Sequence, residues 1–84
     1  MTLALASAPP AFAAPTWARL TRVGTALWRV TDSEQRPLGH LRAVPREPGW
    51  GFRVERYDAR SRAFRVVGDF WTASDAFDCL RYLR

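Results

Sequence analysis

Arginine is the residue type of this chain that is best suited to binding a ligand. The chain has thirteen arginines and no lysine. A guanidinium group keeps its charge at physiological pH, and its planar N–H donors match phosphate oxygens and the edge of guanine. Six of the arginines in the expected strands and turns are assigned to binding: Arg29, Arg42, Arg53, Arg60, Arg62 and Arg65. These six predict an anion-binding surface. The alternative is that exclusive use of arginine, with many alanines and prolines, reflects a G+C-rich coding sequence.

Cys79 is the only cysteine and His40 the only histidine. One chain therefore cannot assemble a disulfide or a Cys/His zinc site, and we expect no cofactor. Cys79 falls where an expected helix turns toward the sheet, and a free cysteine in such a place behaves as a small apolar residue. A nucleophilic cysteine would need His40 as its base, and nothing in the local sequence supports that pairing. We predict that the protein is not an enzyme.

Length and charge restrict the class of protein. The 84 residues suffice for one domain, and the core of so small a domain is marginal, which is compatible with a homodimer. Thirteen basic residues against eight acidic ones give a formal net charge of +5 and a pI near 11.0. This surplus favours an anionic partner, which could be nucleic acid, a membrane surface or an acidic protein.

Residues 1–16 carry no charged side chain and are rich in alanine and proline. They predict a flexible tail, because prolines remove backbone donors and the short apolar run has no helical period. The alternative is a secretory signal with an apolar stretch at 3–12 and a cleavage motif at Ala11-Phe12-Ala13, although no basic residue precedes it. We expect one domain at residues 17–84, with no transmembrane helix. The expected location is cytoplasmic, or secreted or periplasmic if residues 1–14 are a signal.

A first hairpin is predicted in the N-terminal half. Residues 17–23, which precede this hairpin, are predicted to form a short strand or an extended lead-in. Residues 26–31 and 38–44 are rich in strand-forming residues, and the segment 32–37 (DSEQRP) between them is typical of a turn. The predicted pairs are Thr31 with Leu38, Arg29 with His40, Trp28 with Leu41, Leu27 with Arg42, and Ala26 with Ala43. One face of this hairpin is apolar and the other is basic.

A second hairpin follows, with strands at residues 50–57 and 63–70 and a turn at residues 58–62. The predicted pairs are Tyr57 with Ala63, Glu55 with Arg65, Val54 with Val66, Arg53 with Val67, Phe52 with Gly68, and Trp50 with Phe70. Apolar side chains then share one face, and charged ones share the other. The alternative to a binding surface is that Glu55 and Arg65 form only an exposed ion pair, while the remaining arginines keep the open sheet face soluble.

A C-terminal helix is predicted over residues 72–84. Thr72 has the position of an N-cap, and Asp75 follows it at the spacing of a capping box. The apolar stripe consists of Ala73, Ala76, Phe77, Leu80 and Leu83. We expect this stripe to cover Trp28, Leu41, Phe52, Val54, Val66 and Phe70. The predicted fold is therefore α+β, with an antiparallel sheet of three or four strands packed by one C-terminal α-helix.

The segment from Gly49 to Leu83 resembles the AP2-like and integrase N-terminal arm-type DNA-binding domains. The similarity lies in an aromatic strand, a basic hairpin, the closing strand Gly68-Asp69-Phe70 and the helix start Thr72-Ala73-Ser74-Asp75-Ala76. The resemblance implies that the exposed sheet face enters the DNA major groove and that the helix packs behind it. It also implies groove-facing positions for Arg42, Arg53 and Arg65, and phosphate contacts from Arg60 and Arg62. Glu55, in the middle of that face, departs from the pattern.

These observations predict a small basic module that binds nucleic acid. Base or groove contacts are assigned to Arg42 and Arg53, and positioning contacts to Arg29, Arg60, Arg62 and Arg65. DNA is favoured over RNA, because Tyr57 is the one aromatic side chain expected on the basic face. The alternative is an adaptor that binds an acidic protein through its sheet or through an exposed Trp17 or Trp71. We expect Trp71 instead to brace the corner between the last strand and the helix.

Overall fold

The computed structural model describes residues 12–47 and 49–82. Within these residues the elements are β1 (Ala18–Gly24), β2 (Leu27–Asp32), β3 (Pro37–Arg46), β4 (Gly49–Asp58), β5 (Ala63–Phe70) and α1 (Ala73–Tyr82). The strands form one antiparallel sheet in the order β1-β2-β3-β4-β5. The α+β layout with a C-terminal helix is confirmed. The predicted count of three or four strands is wrong, because the segment predicted to be a short strand or an extended lead-in pairs with β2 and adds a fifth strand.

The register of the β2–β3 hairpin is largely the predicted one. Trp28 lies opposite Leu41, and the neighbouring pairs agree with the prediction as far as Val30. Beyond Val30 the register shifts, so that Thr31 lies opposite Pro37, and its predicted pairing with Leu38 is wrong. Asp32 explains the shift, because its Oδ1 atom accepts the backbone N–H groups of two turn residues at 2.9 Å each and tightens the connection.

The register of the β4–β5 hairpin differs from the prediction at both ends. Tyr57 lies opposite Phe64 instead of Ala63, and Phe52 lies opposite Phe70 instead of Gly68. A bulge interrupts the pairing between Val54 and Glu55. The turn contributes to the difference, because the Asp58 carboxylate accepts the N–H of Arg60 and the hydroxyl of Ser61, which keeps Asp58 paired as the last strand residue.

The core lies between α1 and one face of the sheet, where α1 packs against β3, β4 and β5. The largest fully buried side chains are Leu41, Leu80, Val30 and Val54. The Thr72 hydroxyl accepts the N–H of Asp75 at 3.1 Å, which confirms the predicted helix start. Of the predicted stripe, Ala76, Phe77 and Leu80 are buried, Ala73 packs partly against the core, and Leu83 lies outside the described residues. Val66, predicted to be covered, is 59% exposed because of the bulge.

Phe12 extends the core toward the N-terminus. Its ring lies edge-on to Trp28 and Phe52, with centroid distances of 5.0 and 5.5 Å, and 6.1 Å from Phe77. The composition places Phe12 in the tail, yet its aromatic ring packs against the buried residues. Residues 1–11 of the predicted tail or signal lie outside the described residues. Over the described ranges, no helix has the length and apolar character needed to cross a bilayer.

Candidate nucleic-acid interface

The sheet face opposite α1, here called the open face, is defined by strand alternation and register. Leu41 and Val54 lie opposite each other beneath the helix, so their neighbours His40, Arg42 and Glu55 lie on the other side. No described helix or strand packs against that side. The charged and aromatic side chains of the open face are Arg19, Arg29, His40, Arg42, Arg46, Arg53, Glu55, Tyr57, Phe64 and Asp69.

Five arginines share the open face, and they outnumber its two carboxylates. Three of them were predicted from the sequence to do so, namely Arg29, Arg42 and Arg53, and β3 places Arg42 directly opposite Arg53 of β4. Like charges at a cross-strand pair repel each other, so a nearby carboxylate stabilises each of these two arginines. The structure supplies one carboxylate to each of them.

Glu55 is the counter-ion of Arg42. The Nε of Arg42 lies 3.2 Å from Oε2 of Glu55, and Nδ1 of His40 lies 3.5 Å from Oε1. The predicted pairing of Glu55 with Arg65 is therefore wrong. Only Nε of Arg42 takes part in this contact, so its two terminal nitrogens remain available to a ligand. The carboxylate that departs from the DNA-binding pattern is largely buried between its two partners, at 13% exposure.

Asp69 is the counter-ion of Arg53. Two nitrogens of Arg53 donate to the Asp69 carboxylate, at 2.9 Å from Nε and 3.3 Å from Nη2. This hydrogen bond and the charge of Arg53 lower the pKa of Asp69, and the same contact raises the pKa of Arg53. Asp69 therefore stays ionised at neutral pH. The prediction that Arg53 faces Val67 is wrong, since Asp69 occupies the opposite position.

Arg65 does not join the open face. It lies opposite Arg56, which is two residues from the buried Val54 and so projects to the helix side of the sheet. There its Nε is 3.3 Å from Oδ2 of Asp58. The groove-facing position that the resemblance implies for Arg65 is wrong, because the register differs by one residue from the predicted one.

The other two predicted arginines, Arg60 and Arg62, are exposed in the turn between β4 and β5. Arg62 adopts a positive φ of 55° there. The turn therefore places both exposed arginines at one end of the sheet.

Two arginines of the open face, Arg19 and Arg46, were not among the residues predicted from the sequence. Arg19 belongs to β1 and lies opposite Thr31 of β2. It was not predicted because its segment could be either a short strand or an extended lead-in. Arg46 crosses the sheet above Gly51, where a Cβ atom would lie only 2.7 Å from Arg46 Cδ. Its guanidinium carbon stacks 3.9 Å from the ring centre of Trp71. Trp71 thus packs beside the strand-to-helix corner with its ring partly exposed.

An aromatic patch, formed by His40, Tyr57 and Phe64, lies on the open face beside the arginines. The His40 and Phe64 rings stack with centroids 3.8 Å apart and planes inclined by 11°. Tyr57 lies 5.2 Å from Phe64 at 59°. The expectation that Tyr57 stands alone is wrong, since the observed register pairs it with Phe64. A cross-strand comparison of alternative registers would have revealed this neighbour.

The thiol of Cys79 and the imidazole of His40 lie on different sides of the sheet. Cys79 belongs to α1 and packs partly against the core, whereas His40 belongs to the open face. Burial raises the pKa of the Cys79 thiol, which lowers its thiolate fraction and hence its reactivity. Among the described residues there is no cluster of three or more His, Cys, Asp or Glu side chains that could hold a metal ion.

Comparison of the chain with protein-family models, with curated proteins and with solved structures found no match. The resemblance to AP2-like and integrase arm-type domains therefore stays a prediction.

Proposed function

We propose that this protein binds nucleic acid through the open face of its sheet, as a module without catalytic activity. The observation that carries the proposal is the collection of five arginines on one uncovered face, with only two carboxylates among them. Phosphate groups are the anions that nucleic acids present at regular spacing, and arginines on a flat sheet can contact several of them at once.

Arg46 is stacked against Trp71, and the other four arginines are suited to different contacts. Arg19 and Arg29 are exposed and make no ion pair with a described residue, which makes them the best phosphate ligands. Arg42 is oriented by Glu55 through Nε and can offer its terminal nitrogens to a base edge or a phosphate. Arg53 has to exchange Asp69 for the ligand, so its contribution to affinity is smaller.

The proposal predicts that binding depends on which face loses its charge. Arg19→Ala with Arg29→Ala removes two charges from the open face, and Arg56→Ala with Arg65→Ala removes two from the helix side. We expect the first variant to bind a fluorescent mixed-sequence duplex at least tenfold more weakly at low salt, and the slope of log K against log salt to become shallower by about 2. The matched control should change the affinity much less. Anisotropy titrations at several salt concentrations measure both quantities.

Two results would argue against this proposal. Equal losses in the two variants would mean that net charge, and not the open face, drives association. The absence of wild-type binding even at low salt would leave the arginines as solvated surface.

A second prediction concerns Asp69. Asp69→Asn removes a negative charge from the open face and leaves Arg53 one neutral amide oxygen in place of the two carboxylate oxygens that it now contacts. The guanidinium of Arg53 is then held less strongly, so we expect nucleic-acid affinity to rise several-fold. The same anisotropy titration measures the gain. Asp75→Asn, on the exposed side of α1, removes an equal charge away from the sheet and serves as the control. Unchanged or weaker binding by Asp69→Asn would show that Arg53 does not meet the ligand.

Binding of an acidic protein is the second candidate function. Trp71 favours it, because this large apolar side chain is exposed and is held in place by Arg46. Binding of this kind would depend on Trp71 and would resist salt better than phosphate contacts do. A pull-down with wild type, Trp71→Ala and the Arg19→Ala/Arg29→Ala variant therefore separates the two candidates.

A further inference from the structure

We infer that the nucleic acid bound by the open face is single-stranded, with its bases stacked on Phe64 and Tyr57. This inference rests on the proposed function and adds the ligand class to it. The aromatic patch is the feature that the arginines alone do not explain. Phe64 is 43% exposed and Tyr57 is 41% exposed. They lie opposite each other on β5 and β4, and the other face of β4 carries the core residues Phe52 and Val54.

The patch is built as a stack that is open to a further ring. His40 covers one face of Phe64 at 3.8 Å and is itself only 13% exposed, with Glu55 beside its Nδ1. Phe64 nevertheless keeps almost half of its surface accessible, which leaves room for a base to continue the stack. A ring held in this way loses little conformational freedom when a base binds, so more of the stacking energy appears as affinity.

The patch and the free arginines lie within reach of one ligand. Arg29 lies opposite His40 on the neighbouring strand, and Arg19 lies one strand further from the patch. Strands are about 4.8 Å apart, so β2 and β5 are separated by about 14 Å across the sheet. A strand of a few nucleotides that crosses the sheet can place bases on β4 and β5 and phosphates on β1 and β2. The combination of a basic surface with aromatic rings is the one used for unpaired nucleic acid.

Duplex nucleic acid would not use the patch. The faces of its bases are already covered by their neighbours in the helix, so only its phosphates and groove edges could contact the sheet. Unpaired bases expose both faces and can stack on any available ring, largely irrespective of their identity. The patch therefore adds affinity for a single strand and adds none for a duplex.

Anisotropy titrations of the full chain with three labelled probes test the inference. The probes are oligo(dT) and oligo(U) of about 15 nucleotides and a mixed-sequence duplex of the same length. We expect wild type to bind the single strands more tightly than the duplex. Tyr57→Ala with Phe64→Ala should weaken single-strand binding at least tenfold, the change that the loss of about 1.4 kcal/mol of stacking produces, and should leave duplex binding unchanged. The two single-stranded probes show whether DNA or RNA is preferred.

Two further variants keep the test independent of folding. Val66→Ala with Val67→Ala removes exposed apolar groups from the same strand without removing a ring, and should change none of the affinities. Phe64→Leu keeps an apolar side chain of similar size and should still weaken single-strand binding. Ultraviolet irradiation of the oligo(dT) complex, followed by mass spectrometry, should place the crosslink on the peptide that contains Phe64 or Tyr57.

The outcomes separate this inference from the proposed function. Equal affinity for single strands and duplex, or single-strand binding that survives the loss of both rings, overturns the inference and leaves arginine-dependent binding standing. Failure of wild type to bind any of the three probes at low salt overturns both. Selective loss of single-strand binding in the aromatic variants, with the Val66/Val67 control unaffected, supports the inference.

Discussion

Gly39→Ala is expected to lower the free energy of unfolding by about 3 kcal/mol or more. A Cβ atom at position 39 would lie 2.2 Å from the backbone oxygen of Glu55 and 3.1 Å from Cδ2 of Leu80. Neither neighbour can move easily, because one is strand backbone and the other is a fully buried core side chain. The φ of 156° at Gly39 adds strain for any residue with a Cβ. The substitution must therefore push β3 away from β4.

Urea denaturation followed by tryptophan fluorescence measures this loss, and a thermal melt should show a midpoint lower by about 12 °C or more. Gly49→Ala is the matched control, because a Cβ there meets no atom within 4 Å. Its free energy of unfolding should stay within about 0.5 kcal/mol of wild type. A Gly39→Ala protein as stable as the Gly49→Ala protein would contradict the close approach of β3 and β4 at this point.

Phe77→Ala is expected to cost about 3 kcal/mol of stability. Phe77 is 2% exposed and is the residue of α1 against which both Trp17 and Phe12 place their rings. Its loss opens a cavity between the helix, the sheet and the N-terminal segment, which rigid strands cannot fill. The variant should also shift the fluorescence of Trp17, whose ring centre lies 6.2 Å from that of Phe77.

Tyr82→Ala provides the comparison, because it removes an aromatic ring from the same helix at a position that is 76% exposed. Urea denaturation should show little change for this variant. If the two substitutions lowered the free energy of unfolding by the same amount, the packing of Phe77 against Phe12 and Trp17 would be refuted.

The second hairpin shows why the candidate site could be predicted only in part. The alternation of its residues correctly predicts two strands, one with an apolar face formed by Phe52 and Val54. Alternation does not report the extra residue of a bulge, and one residue of shift reverses every side chain beyond it. For this reason Arg65 was assigned to the wrong face, and the contact of Tyr57 with Phe64 was not foreseen.

The ion pairs of the open face could not be predicted for a related reason. Glu55 has strand neighbours on both sides, and the sequence separation favours a partner in the same hairpin. Its actual partners, Arg42 and His40, belong to β3. The partner of Glu55 depends on which side chains reach its carboxylate after β3, β4 and β5 have paired. These distances are set only in the assembled sheet.

The amino-acid sequence by itself determined the α+β class, the order of the elements from the first hairpin onward, the alignment of Trp28 with Leu41, and the helix start at Thr72. These features depend on alternation, turn residues and capping, which act between residues that are near in the chain or in one tight hairpin. Only the tertiary structure decided that β1 completes the sheet, that Phe12 enters the core and that the aromatic patch forms beside the arginines. Each of these outcomes depends on contacts among three or more segments, whose energies no local pattern contains.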